Sequence, residues 1–168
     1  MPTAYRTKTI VKTICLAGLV AGTLDILAAC THAYLTKGTQ PEIILKYIAG
    51  GVFTTKTSLA GGTGMAAWGL LFHFIIAFSL AAFFVFLYIK WKALSKLSML
   101  EMVVVGEAYA IFAWAVTTQI IVRYISALKG QPVVFEKAVV AIVILMFMLG
   151  IPIALITHKF LRRRPFKI

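Results

Sequence analysis

Long apolar runs separated by short polar stretches set the pattern of this chain. Crossing the hydrocarbon of a bilayer takes about 20 consecutive apolar residues. Four runs meet that length, at residues 10–35, 65–89, 97–125 and 138–160. Within each run the apolar residues are continuous rather than alternating, which predicts helices and not the strands of a membrane barrel. The expected fold is all-α, a single integral membrane four-helix bundle over residues 1–168.

The stretch between the first two runs, residues 36–64, is longer than the usual bundle connection of 2–8 residues. Pro41 followed by Glu42 suits a helix N-terminus with an acid in its first turn. Ile43, Ile44, Tyr47 and Ile48 then recur at helical spacing. A short interfacial helix is expected here, ended by Gly50 and Gly51, with an irregular loop through Gly61 and Gly62 leading into the second span. A re-entrant loop lining a cavity is the alternative, because irregular backbone at membrane depth survives only where protein or water satisfies it. The turn after the first span, Leu35-Thr36-Lys37-Gly38-Thr39-Gln40-Pro41, is echoed by Leu128-Lys129-Gly130-Gln131-Pro132 after the third. That echo fits a parallel two-helix repeat, although turn chemistry alone produces such matches.

Composition removes the other classes. Hydrophobic residues make up 61% of the chain and charged ones 13%, with a mean hydropathy of +0.96. A soluble domain of this size cannot hide so much apolar surface, and disordered chains are poor in apolar residues.

Seventeen Lys and Arg against five Asp and Glu leave a net charge of +12. Eleven of the seventeen lie on one side of the expected bundle, in the N-terminal arm, the loop at 90–96 and the C-terminal tail. The positive-inside rule then predicts a multi-pass protein of the cell inner membrane with both termini cytoplasmic. Anionic lipid is the expected partner of the basic ends. Nucleic acid is not expected, since no basic patch is interleaved with exposed aromatics. Leu27-Ala28-Ala29-Cys30 resembles a bacterial lipoprotein cleavage site, but Asp25 would interrupt the apolar core of such a signal. Cys15 and Cys30 are about 22 Å apart on one helix and cannot bridge each other.

Ionisable groups inside spans are costly and mark function by default. Three occur: Asp25, His73 and Glu107, each near the middle of its run. Gly18, Ala21, Gly22, Asp25, Ala28, Ala29 and His32 share one face of the first span, a small-residue stripe suited to helix packing. Ala66, Gly69, His73, Ala77 and Ala81 form a matching stripe on the second, and Glu107 shares a face with Ala110, Ile111 and Trp114 on the third.

The functional expectation is an Asp25–His73 pair with Glu107 nearby, handling protons, a cation or a small solute. A neighbouring carboxylate and desolvation push an imidazole in opposite senses, which lets it titrate near neutral pH. The structural alternative is a hydrogen-bonded pair that fixes helix register. A metal site would need three helices to converge, with no short-range ligand motif to support it, so no metal is expected. Haem would need a second axial ligand or an open pocket. Neither a catalytic triad nor a cofactor fingerprint is present, so no enzyme activity and no cofactor are expected.

His32, Gln119 and Arg123 are placed near one boundary and His158 near the other, with Trp91, Tyr34, Tyr88 and Tyr124 as interface aromatics. Gly150-Ile151-Pro152 is expected to kink the fourth span, and Met146 and Met148 to pack.

The segments Ile48-Ala49-Gly50-Gly51-Val52-Phe53, Gly61-Gly62 and Gly69-Leu70-Leu71-Phe72-His73-Phe74-Ile75-Ile76-Ala77-Phe78 resemble a pattern in small bacterial inner-membrane proteins similar to the YagU group. The resemblance covers residues 18–78. It implies a bacterial four-helix membrane protein with His73 as a shared position, and no activity. Val52-Phe53-Thr54-Thr55 departs from the more glycine-rich form of that pattern. The expected function is a small oligomeric transporter or channel. The alternative is a non-transporting accessory subunit that binds another membrane protein through the small-residue faces.

Overall fold

A computed structural model describes residues 7–118 and 135–162, with side chains from 138 onward in the second segment. In chain order the helices are α1 (Thr7–Lys37), α2 (Pro41–Phe53), α3 (Thr55–Ala60) and α4 (Thr63–Lys90), then a 3₁₀ turn (Lys92–Lys96), α5 (Met99–Trp114), α6 (Phe135–Leu145) and α7 (Ile151–Leu161). No strand occurs among the described residues. Among the described residues four helical stretches are long and apolar enough to cross a membrane: Thr7–Lys37, Thr63–Lys90, Met99–Thr118 and Ala138–Leu161. Residues 119–125 of the expected third span, with Gln119, Arg123 and Tyr124, lie outside the described residues, as does the Leu128–Pro132 half of the expected repeat.

α1 packs along α4 on one side and along α7 on the other, and α5 packs on α7 and the turn before it. Lipid offers apolar side chains as good an environment as a protein core does, so helices associate through close packing and small residues. The core is of this small-residue kind: Ala17, Ala21, Ala81, Ala110, Ala113 and Ala154 are fully buried, with Phe84, Met102 and Ile153 among the larger buried side chains. At one crossing no side chain intervenes. A Cβ on Gly150 would overlap the Gly106 carbonyl, so α5 and the fourth span touch backbone to backbone.

The fourth span is composite. A π-helical turn, Met146–Gly150, joins α6 to α7, and the Ile151 N–H donates to the Met146 carbonyl five residues back. Pro152 supplies the reason. It has no N–H and its ring crowds the carbonyl four residues earlier, so the ladder skips one residue ahead of it. α5 begins with a reciprocal cap: the Glu101 N–H donates to Ser98 Oγ (3.2 Å) and the Ser98 N–H donates to Glu101 Oε2 (2.6 Å).

Within residues 36–64 the expected short helix is present as α2, opened by Pro41, but its end departs from expectation. Gly50 and Gly51 do not end α2, which runs through them to Phe53. Gly50 serves close packing: it is buried, and a Cβ there would come within 3.2 Å of the Thr55 backbone. The stop falls at Thr54, with φ 73° and ψ 148°, a conformation that favours glycine. This is within the stretch where the chain departs from the glycine-rich pattern. Thr54 Oγ1 accepts from the Thr57 N–H (3.4 Å), which starts α3. Gly61 caps the end of α3 and Gly62 precedes α4. The segment is therefore two helices, α2 and α3, meeting at Thr54, instead of irregular backbone. α2 lies on α4, where a Cβ on Gly69 would overlap the Leu45 carbonyl, and Phe53 packs on Trp68 and Phe72. Lys46 is buried and pairs with Glu42 at 2.9 Å, one turn back on the same helix.

α4 and α5 meet through rings. Phe84 and Tyr109 stand edge to face with centroids 4.8 Å apart. The Tyr109 hydroxyl donates to the Leu80 carbonyl at 2.7 Å. Tyr109→Phe removes only that hydrogen bond and should lower stability by about 1 kcal/mol. Equilibrium unfolding in micelles reads it, and an unchanged midpoint would show that the bond contributes nothing net.

Candidate functional site

The site is built from the absence of side chains on α1. A Cβ on Gly18 would collide with the Phe78 ring, and one on Gly22 would sit 2.9 Å from Phe74 Cε1 and 3.0 Å from Ala77 Cβ. Bare backbone at these two positions lets α4 approach closely. At that approach His73 Nε2 lies 2.8 Å from the Gly22 carbonyl oxygen. A carbonyl oxygen only accepts, so Nε2 carries the proton and donates. The open lone pair of the neutral ring is then on Nδ1.

Asp25 follows Gly22 by one turn of α1. Its carboxyl and the His73 ring act on each other electrostatically, as neighbours rather than as a closed ion pair. Both residues are half-buried. His73 lies about 15 Å along α4 from its first residue, and Asp25 about 18 Å from the last residue of α1. In helices that cross a core of about 30 Å, both fall near mid-depth.

Glu107 is placed elsewhere. It follows Gly106 on α5, at the crossing with the fourth span, and α5 packs chiefly on α7 and the turn before it. Among the described residues no three His, Cys, Asp or Glu side chains converge on a site that could hold a metal ion, so Asp25, His73 and Glu107 do not form one cluster.

The two small-residue stripes are used inside the chain. Gly18 and Gly22 face Phe74, Ala77 and Phe78 of α4. Gly69 faces α2 instead of α1, so the stripe on α4 serves two neighbours in succession. Ala29 is half-buried, beyond the tightest contact.

No family model matches the chain, and no curated protein and no solved structure matches it.

A groove of about 320 Å³ opens between α4 and the last turns of the Met99–Thr118 stretch, walled by Ile76, Ser79, Leu80, Phe83, Phe112, Val116 and Thr117. Asp25 and His73 are not in its walls.

Two polar side chains expected near the boundaries, Tyr88 and His158, are enclosed by neighbouring helices close to the ends of α4 and α7. Tyr88 is 1% exposed and His158 is 0% exposed, and the Tyr88 hydroxyl lies 2.9 Å from His158 Nδ1. The spacing of the buried positions on α7, Ile153, Ala154, Thr157, His158 and Leu161, carries the signal for His158. A histidine at helical register with a small-residue stripe belongs to the packed face.

Proposed function

We propose that this chain is a multi-pass protein of the cell inner membrane that moves protons or a small cation along the seam between α1 and α4. Asp25 and His73 are the exchanging groups. The observation that carries this is the His73 ring of α4 seated on the Gly22 carbonyl of α1, one turn from the Asp25 carboxyl, between two membrane-length helices. His73 Nε2 is already committed to the Gly22 carbonyl, so an incoming proton binds at Nδ1. The imidazolium formed is compensated by the Asp25 carboxylate, which makes a charge at mid-depth tolerable. Loss of the same proton towards the other side restores the neutral ring.

The same proposal gives α2 and α3 the outer interface and puts both termini in the cytoplasm. Lys8, Lys12, Lys90, Lys92, Lys96, Lys159 and Arg162 gather at the end of the bundle that holds the start of α1 and the ends of α4 and α7. That end suits anionic lipid. Lys12 lies over the Phe160 ring and Lys90 over the Phe86 ring, at 5.8 and 5.6 Å from the centroids. Reporter fusions after residue 162 and within residues 38–62 test the orientation. A cytoplasmic reporter is expected to be active at the first and silent at the second, and the reverse pattern overturns the orientation. Association with further copies uses the exposed apolar faces, such as Leu19, Leu27, Ile75 and Phe86.

The second reading is a non-transporting accessory subunit. It is favoured by the groove, which lies between α4 and the last turns of the Met99–Thr118 stretch and not at Asp25 and His73. Against it, Gly18 and Gly22, the expected docking face, are occupied by α4. Proton and cation flux through purified protein in liposomes decides between the two.

A further inference from the structure

The end of the bundle where α4 and α7 finish holds a buried titratable group outside the Asp25–His73 site. His158 of α7 is fully enclosed, with the Tyr88 hydroxyl of α4 at 2.9 Å from its Nδ1. Its Nε2 makes no well-formed hydrogen bond among the described residues, and the backbone of Leu97, after the 3₁₀ turn, is the other polar group acting on the ring. The adjacent Thr157 hydroxyl is buried without a partner as well. Tyr88 follows His73 by fifteen residues on α4, about 22 Å along its axis. Buried Ala77, Ala81 and Phe84 fill the interval, so this group is separate from the Asp25–His73 site.

We propose that His158 is a second proton-binding site, and that the Tyr88–His158 contact is a latch which a bound proton releases. In the neutral ring Nδ1 meets Tyr88 and Nε2 keeps only a poorly formed contact with the Leu97 backbone, a shortfall of at most one hydrogen bond. The charged ring is different. The Arg162 guanidinium acts on it from one turn along α7. From α1, Lys12 lies over Phe160. Tyr88 is the titratable group from α4. At the start of α5 the Glu101 carboxylate is engaged by Ser98. No carboxylate among the described residues acts on the ring. A buried charge without a counter-ion costs more than one missed hydrogen bond. The protonated ring is therefore more stable in water, and the last turn of α7 moves away from α4 to reach it. With the ring packed on all sides, a proton is the ligand that needs the smallest opening.

The test reads distance and does not depend on flux. Spin labels are attached through Lys92→Cys and Lys159→Cys, both exposed positions, in a Cys15→Ser, Cys30→Ser background, and the protein is placed in lipid nanodiscs. Distance distributions are recorded at about pH 5 and about pH 8, which bracket the ordinary titration of histidine. The expected result is a shift to longer distances at the lower pH, lost in His158→Gln and kept in His73→Gln. Tyr88→Phe should give the longer distances at both pH values. Identical distributions at the two pH values in the wild type, or a shift that persists in His158→Gln, overturn the proposal. If His158→Gln does not fold, the histidine ring resonances of the wild type serve instead. Those of His32 and His73 are assigned by Gln variants, and the remaining one must titrate together with the distance change. A latch that fails this test leaves the Asp25–His73 proposal standing, and absent flux leaves the latch standing.

Discussion

Asp25→Asn is expected to abolish ion- or pH-driven flux through the purified protein in liposomes while insertion and assembly survive. Asparagine keeps the size and much of the hydrogen-bonding capacity of the side chain but cannot balance a positive charge on His73. The imidazolium would then stand at mid-depth beside a neutral amide, and the proton would no longer bind there. Assembly should survive because one interhelical polar contact is worth only about 0.6 kcal/mol on average. His73→Gln makes the complementary case. The glutamine amide can still donate to the Gly22 carbonyl, which now serves His73 Nε2, but it has no site for a second proton. Flux should vanish with packing retained. Wild-type flux no greater than that of empty liposomes would favour the accessory-subunit reading. Flux unchanged in Asp25→Asn would move the pathway away from the α1–α4 seam.

The largest expected effect on stability is at Gly150. A Cβ there would overlap the carbonyl of Gly106, which is helix backbone and cannot rotate aside as a side chain can. Overpacking against movable side chains costs about 1–3 kcal/mol. Gly150→Leu should exceed that range, because it separates α5 from the fourth span along their shared length and forfeits the close packing that holds helices together in lipid. Gly64→Leu is the control, since a Cβ on Gly64 meets nothing within 4 Å. It should unfold near the wild-type midpoint, as substitutions away from packed features do. Denaturant unfolding in micelles, together with size-exclusion profiles, measures both. If Gly150→Leu behaves like the control, the fourth span does not cross α5 at Gly106.

Membrane-length helices were legible along the chain because hydropathy is a local sum. Twenty apolar residues identify a candidate span whatever surrounds them, and the four stretches appear as expected where the structure describes them. Local chemistry also marks some ends: Pro41 with Glu42 opens α2, and the Ser98-to-Glu101 reciprocal cap opens α5. The mid-span positions of Asp25, His73 and Glu107 follow from counting residues. Which of these polar groups meet does not. Glu107 also lies inside an apolar run, yet Tyr109 beside it meets Leu80 and Phe84, about two to three turns along α4 from His73, and its helix packs on α7.

Partner choice depends on residues far apart in the chain, and hydropathy does not contain it. Gly50 and Gly51 look like a helix stop because glycine weakens an isolated helix by about 1 kcal/mol. Tertiary packing overrides that propensity where the backbone must approach Thr55. Gly69 and Gly22 look like two halves of one contact, yet Gly69 receives α2 and Gly22 receives α4. His158 lies beside Lys159 and looks like a boundary residue, but adjacent helix positions differ by about 100° around the axis. One of the two faces out and the other meets Tyr88, seventy residues earlier in the chain. By itself, then, the sequence determined how many helices are long and apolar enough to span and where their charges sit, since both are sums over neighbouring residues. Only the tertiary structure decided which faces close on each other, because van der Waals packing in an apolar medium is selective by shape and not by composition.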